Sequence, residues 1–434
     1  MNNNSNNLNT EPYRGTRDFY PSDMSLQNYI FSTMRKVAEQ YGYVEYGASI
    51  LEETAIYRAK TGSEIINEQT YTFTDRGGRD VTIRPEMTPT VARMVARKRK
   101  ELAFPLRWYS IPNLFRYERP QRGRLREHWQ LNVDLFGIDN TEADAEIIKV
   151  SYSIMKAFGA QDENFVIRLN SRKLINYVIY DYFGLDKETG YQLTKLIDRK
   201  EKIEGKEFTL QAEKLLGEKT NELMEFLKCK NICEISDEFK DNVGVKDLQV
   251  VEKLLIETGI TNHVFDPSLI RGFDYYTGLV FEVFDTNPVN SRSLFGGGRY
   301  DDLVAIFGAE KVSGVGFGMG DVTIANYMET YNLLPQYRSS TALYICPLEE
   351  EYVHFANELA DDLRAQGVNV AVDYTGRKIP AQIKTAEKQG VPFILCIGEE
   401  EVKTKTFKLK NLSKRSEQSL HQDELAKILL ENKY

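Results

Sequence analysis

The stretch WYSIPNLFRYERPQRGRLREHWQLNVDLFG, from Trp108 to Gly137, decides how the rest of the chain is read. Two runs of alternating apolar and polar residues flank a short loop rich in Arg, Pro and Gly, the pattern of an antiparallel hairpin. Side chains alternate with period two along a strand, so Trp129, Leu131, Val133 and Leu135 share one face. His128, Gln130, Asn132 and Asp134 share the other. By the same rule Arg116 and Glu118 share a face of the first run. Half-solvated antiparallel sheet alternates in this way too, and periodicity alone does not separate it from the floor of a polar pocket. The loop tips the reading. Between Arg116 and Arg126 five arginines (116, 119, 122, 124, 126) stand against one acid, Glu118. Like charges at that density repel unless an anion is expected among them, and guanidinium suits two-point capture of phosphate or carboxylate.

Over the whole chain 56 Lys+Arg oppose 64 Asp+Glu for a net charge of −8, which does not advertise a nucleic-acid binder. The distribution says more. Arg93 to Arg126 holds eleven Lys/Arg against Glu101 and Glu118, and one basic zone in an acidic chain fits transient, salt-sensitive contact with a structured RNA. A solvated basic helix after Thr90 would account for Arg93 to Lys100, but not for the loop arginines. The length of 434 residues allows roughly two to four domains. Cys229, Cys233, Cys346 and Cys396 are scattered, with no second pair to complete a zinc site, and read as buried or idle thiols in a reducing cytosol. His128, His263, His354 and His421 show no ligand spacing. No apolar run approaches the ~20 residues of a membrane span. The start, MNNNSNNLNT, lacks the basic and apolar regions of a signal peptide and reads as a disordered tail over 1–10. A cytoplasmic protein without membrane contact is expected.

F-R-Y-E, the basic loop and G-R-L-R-E-H-W-Q-L-N-V-D-L-F-G resemble motif 2 of the class II aminoacyl-tRNA synthetases, in the form seen in histidyl-tRNA synthetases. R-G-F-D-Y-Y-T-G at Arg271 to Gly278 and G-G-G-R-Y-D-D-L at Gly296 to Leu303 resemble the two histidine-specific signatures. The motifs are separated, in order, and cover nearly the whole chain. The fold implied is α+β: a class II antiparallel-sheet catalytic core with a helical insertion, plus a C-terminal α/β anticodon-binding domain. The core occupies 11–172 and 261–332, the insertion 173–260, a linker 333–341 and the last domain 342–434. Leu26, Ile30, Met34, Val37 and Tyr41 recur at helical spacing until Gly42, and strand-like Tyr43 to Leu51 follows. This resembles motif 1 and implies a homodimer, although Ser49 stands where the family motif usually has proline.

Thr70 to Phe73 and Asp80 to Arg84 read as a second hairpin turning at Arg76, Gly77 and Gly78. It delivers R-P-E-M-T-P to a helix that Thr88 is placed to cap, with Glu86 in its first turn. Gly296, Gly297 and Gly298 let backbone approach a ligand, and Gly314, Gly316, Gly318 and Gly320 alternate as in a strand under a nucleotide. Ala342 to Leu348, Val368 to Tyr374 and Phe393 to Gly398 are apolar runs alternating with helices at 349–366 and 379–390, a βαβ pattern with a largely parallel sheet. This block resembles the anticodon-binding domain shared by several class II enzymes, in which Arg377, Lys378 and Lys384 would face RNA; solvated surface accounts for them equally well.

The resemblance implies ATP-dependent ligation of L-histidine to histidine tRNA through a histidyl-adenylate. ATP is a substrate, Mg2+ accompanies it, and no protein-held metal site is expected. Arg116 would hold the α-phosphate and the attacking carboxylate, with Arg271 as second cation. Glu118 would read the adenine amino edge, and His128 stands where a phenylalanine commonly lies under adenine. Glu86 and Thr88 would hold the α-amino group. Gln130, Asp134, Tyr275, Tyr276 and Tyr300 would surround the imidazole, and such a buried polar network rejects substrates that leave its members unpaired. The family's motif 3 arginine is replaced by Thr323, which leaves the triphosphate tail to Arg122 or Arg124. Arg119, Gln121, Arg122 and Arg124 would meet the tRNA acceptor end, with its extra 5′ guanosine. Two alternatives share this core. One is the regulatory subunit of ATP phosphoribosyltransferase, which typically lacks the intact arginine-bearing signature and the C-terminal domain. The other is an inactive tRNA-sensing module, which Thr323 keeps open.

Overall fold

A computed structural model describes residues 8–58, 69–271 and 275–431. Residues 1–7 of the expected tail, and Gly272 to Asp274 of the first histidine signature, lie outside the described residues. The chain divides into two compact units. One holds the residues up to Phe19 with Gln27–Leu334, the other Tyr20–Leu26 with the residues from Pro335 onward.

A nine-stranded sheet forms the centre of the first unit. Its long middle strand, Glu127–Phe136, pairs antiparallel with Leu106–Ser110 and Asn113–Phe115 on one side and Gly314–Gly320 on the other. The order continues antiparallel through Ser293–Arg299, Leu279–Asp285 and Phe165–Ser171. Parallel strands, Val44–Glu45 and His263–Phe265, close the two ends. The first run of the hairpin is thus two strands interrupted at Ile111 and Pro112, because proline has no N–H to give to a ladder; its carbonyl accepts from Gln130 instead (3.0 Å). Leu131, Val133 and Leu135 are fully buried, each contributing about 1.5–3 kcal/mol. Helix Thr141–Ala157 packs on this strand and on Gly314–Gly320. Asn140 caps it by accepting from the Ala143 N–H, with Glu142 and Asp144 in the positive first turn.

Two local expectations fail here. Tyr43 to Leu51 is not one strand: Val44–Glu45 joins the large sheet, and Leu51–Glu53 joins a three-stranded sheet with Tyr71–Thr74 and Asp80–Ile83. Between them the carbonyls of Ala48 and Ser49 turn to accept from the buried Arg84 guanidinium (2.8 and 3.2 Å), which removes them from any ladder. Nor does Thr88 cap a helix. Helix Thr88–Lys98 begins on it, Met87 is the cap residue and no side chain caps it. Glu86 therefore precedes the helix instead of lying in its first turn.

From Arg172 to Glu257 the chain is a run of short helices. Of the three longer ones, Lys187–Asp198 and Val243–Glu257 are capped by Asp186 and Asn242, and Gly205–Leu216 has no side-chain cap. In the second unit Val370–Val372, Leu343–Pro347 and Phe393–Ile397 are parallel, flanked by helices Val353–Ala365 and Ile379–Lys388. The sheet is mixed rather than largely parallel, because Thr406–Asn411 and Ser416–His421 add an antiparallel hairpin. Only Phe407, Leu409 and Leu420 of that hairpin are buried, too few apolar positions to mark two strands. Cys346 and Cys396, scattered in sequence, are register partners on adjacent strands and remain free thiols. Among the described residues no helix is long and apolar enough to cross a membrane.

Candidate active site

The polar face of the long strand forms one wall of a pocket. Gln130, Asn132 and Asp134 come from that strand, Arg116 from the loop that leads into it, Glu86 from the segment before helix Thr88–Lys98, and Thr88 from its first residue. Arg271, Tyr275, Tyr276 and Tyr300 come from the two histidine signatures. The neighbouring strand makes room for them. A Cβ on Gly316 would stand 2.6 Å from an Asp134 carboxylate oxygen, and one on Gly318 2.7 Å from the Gln130 side chain. The alternating glycines thus clear the face on which their neighbours' polar groups lie.

One end of the pocket is a set of buried donors and acceptors. Tyr300 donates its hydroxyl to Asp134 Oδ1. Oδ2 of the same carboxylate is buried and has no hydrogen-bond partner among the described residues. Burial pushes the Asp134 carboxyl up to about 7, with the Tyr300 hydrogen bond opposing. Tyr275 donates to Glu86 (3.3 Å). Its ring lies 4.8 Å from that of Tyr276 and 5.9 Å, edge-on, from that of Tyr300. Burial drives the Tyr275 and Tyr300 hydroxyls well up, so both remain donors at any ordinary pH. The walls are aromatic and the polar groups few and fixed, which suits a small heteroaromatic amino acid.

The other end carries cations. Arg116 Nε donates to the Pro85 carbonyl (2.9 Å), which ties the loop to the segment bearing Glu86. Arg271 takes φ +55°, a left-handed backbone that a non-glycine residue adopts only when its surroundings fix it. Its Nη1 donates to the Phe281 carbonyl and pairs with Glu282 (both 3.3 Å), and its guanidinium lies 5.6 Å from the Tyr276 ring. Its Nε is buried with no partner among the described residues. Gly296 makes this possible, since a Cβ there would meet Arg271 Nη1 at 2.0 Å. Burial raises the Glu282 carboxyl, and Arg271 opposes that.

The structure does not bring every expected residue into this pocket. The alternation rule stops at Arg116, because the Glu118 N–H turns back to the Arg116 carbonyl (2.7 Å). Glu118 instead pairs with Arg124 (3.1 Å). His128 sits one pair outside the pocket lining; burial, then Arg116 and Arg17, push its imidazole down to about 3, leaving a neutral ring. The loop arginines also have more protein partners than their density suggested. Arg126 is buried, with its guanidinium 3.9 Å from the Tyr117 ring and donating to the Tyr13 hydroxyl. Arg122 pairs with Glu329 (3.3 Å) and donates to Asn290 (3.0 Å). Gln121 accepts from Arg292 (3.1 Å). Arg119 is exposed.

Three contributors were overlooked in the sequence. Asn132 was legible, lying by period two between Gln130 and Asp134. Glu282 had a weak signal, a lone acid in the apolar run L-V-F-E-V-F. Arg299 stood in the G-G-G-R-Y-D-D-L signature without any sign of its partners: its guanidinium binds Asp144 (2.8 Å) and the carbonyls of Ile138 and Asn140, bracing the helix cap behind the pocket.

An antiparallel sheet with a polar pocket at its centre and arginines at the rim is the arrangement expected of a class II aminoacyl-tRNA synthetase core. The histidyl-tRNA synthetase family model matches residues 15–321, and that of the anticodon binding domain matches 342–432. The chain is 43% identical over 414 residues to the histidine–tRNA ligase of Leptospira biflexa, covering 94% of this chain and 95% of the relative. The crystal structure of histidyl-tRNA synthetase from Nostoc sp. PCC 7120 superposes with a TM-score of 0.83 at 23% identity, covering 98% of this chain and 100% of that one. A Bacillus halodurans C protein described as an ATP phosphoribosyltransferase regulatory subunit/histidyl-tRNA synthetase gives 0.74 at 25% identity, over 90% and 99%. The chain belongs to the histidyl-tRNA synthetase family.

Proposed function

We propose that this chain joins L-histidine to histidine tRNA in two steps. A carboxylate oxygen of histidine attacks the α-phosphorus of ATP, and pyrophosphate leaves with the electron pair of the broken P–O bond. A terminal ribose hydroxyl of the tRNA then attacks the carbonyl carbon and releases AMP. The observation that carries this reading is the half-satisfied Asp134 carboxylate. Tyr300 occupies one oxygen, and the other is buried without a hydrogen-bond partner among the described residues, on a side chain that lines the pocket. A ring N–H supplies the missing donor, and a side chain without one leaves it unpaired.

Gln130, Tyr275 and Tyr276 complete the imidazole site, while Glu86 and Thr88 take the α-ammonium group. Two anions meet at the α-phosphorus, so the step needs charge already in place. Arg116 and Arg271 provide it. His128 stacks under adenine as a neutral ring, and Glu118 accepts from the adenine amino group. Mg2+ arrives with ATP, held through the substrate phosphates. Arg119, Gln121, Arg122 and Arg124 face the acceptor end, and the C-terminal unit binds the anticodon. The enzyme works as a homodimer in the cytoplasm.

A purely regulatory role is the second reading, favoured by the description of the Bacillus halodurans neighbour. Histidine-dependent exchange of pyrophosphate into ATP, followed by charging of histidine tRNA, separates the two. A chain that binds histidine but performs neither is a regulator.

A further inference from the structure

Thr323 opens the question of what meets the far end of ATP. Its hydroxyl is shared between the carbonyls of Leu294 (2.7 Å) and Gly320 (3.1 Å), and its methyl group lies 3.6 Å from where a Cβ of Gly123 would stand. Thr323 therefore clamps the start of strand Ser293–Arg299 beneath the tip of the arginine loop. A bulge in the pairing of that strand, between Val283 and Phe284, lies next to the residue it presents there, Arg292. The Arg292 guanidinium donates to Gln121 of the loop (3.1 Å). Gln121 in turn exchanges both backbone hydrogen bonds with Arg124 (3.0 and 2.9 Å), so Arg292 and Arg124 meet at one residue of the loop, with Glu118 paired to Arg124 (3.1 Å). Arg122 is turned away to Glu329 and Asn290. Along the same strand, about 13 Å at the usual rise per residue, Gly296 packs against Arg271. Two cations gathered at Gln121, one of them paired with Glu118, form an anion site, and the strand links it to the α-phosphate cation.

We propose that Arg292, held by Gln121 and by the Thr323 clamp under its strand, binds the terminal phosphates of ATP together with Arg124. The proposal rests on the histidine-activating reading above, and it deepens it by naming the chain's own group for the triphosphate tail.

The test uses the full chain, with Mg-ATP and AMP as probes. Arg292→Ala raises the KM for ATP in histidine-dependent pyrophosphate exchange by roughly 10- to 100-fold, the cost of one lost charged hydrogen-bonding group. The KM for histidine and inhibition by AMP, which lacks the two terminal phosphates, stay within a few-fold. Arg292→Lys recovers part of the loss through its charge. An unchanged ATP KM overturns the proposal. So does an equal loss for ATP and AMP, because Arg292 would then only brace the loop. Loss of tRNA charging with exchange intact overturns it as well, in favour of an RNA contact. If the unaltered chain supports no exchange, the activity reading fails, and equilibrium binding of Mg-ATP against AMP still decides the role of Arg292.

Discussion

The pocket floor and the arginine loop leave the same strand and are built on opposite terms. Asp134, Glu86 and Tyr300 are almost completely buried, and each is fixed by a partner from a distant segment. The side chains of Arg122 and Arg124 are 44% and 48% exposed; Arg124 has an ion pair to Glu118, and Arg122 adds hydrogen bonds to Asn290, Asn326 and Thr330 to its own. Exposed pairs contribute about 0.2–1 kcal/mol, while an unpaired buried polar group costs about 1–3 kcal/mol. The floor therefore discriminates, because a wrong ligand leaves its groups unmet. The loop exchanges partners cheaply and is suited to a phosphate backbone that arrives and leaves.

The sharpest break of this contrast is Arg271→Ala. Its cation meets charge that develops only during attack, so adenylation turnover should fall by ~10²–10³ while histidine affinity changes far less. Single-turnover adenylate formation alongside equilibrium histidine binding measures both. Equal losses would place Arg271 in the ground-state binding shell instead.

Asp134→Asn tests what the floor costs the protein. The folded-state carboxyl is raised from 3.8 to about 7 by burial, so the ligand-free protein prefers it protonated. Its contribution to stability is present below about pH 4 and is lost as pH rises through 7, roughly 4 kcal/mol in all. The variant should match the parent in denaturant midpoint near pH 4 and exceed it at pH 8. Histidine binding should weaken roughly 10- to 100-fold, because an acceptor has been replaced. A variant no more stable at pH 8 would mean that the carboxylate is paid for by something other than its ligand.

In the loop, Arg119→Ala with Arg124→Ala should reduce tRNA charging several-fold. Each lost phosphate contact should also lower the slope of binding against salt by about one. Pyrophosphate exchange in the double variant should lose ATP affinity through Arg124, whereas Arg119→Ala alone should leave exchange within a few-fold of the parent. The smallest effect belongs to the C-terminal unit. Arg377 is 48% exposed beside the buried Asp373, so Arg377→Ala with Lys378→Ala should change charging a few-fold and exchange not at all. A change in exchange there would join two functions kept separate above.

Much was legible in the chain itself wherever the physics is local. Strand alternation is a property of the backbone, so the partition of Leu131, Val133 and Leu135 from Gln130, Asn132 and Asp134 could be read before any fold was known. The alternate glycines 314–320 and the helical spacing from Leu26 to Val37 could be read for the same reason, and with the motifs they made the class recognisable. Tertiary structure decided where local rules compete with distant partners. Thr88 lines the pocket rather than capping a helix, and Glu118 turns to Arg124 once the strand ends. Arg122 finds Glu329 and Arg299 finds Asp144 across 207 and 155 residues of chain. A charge's partner depends on which surfaces the completed sheet brings together, and no periodicity encodes that.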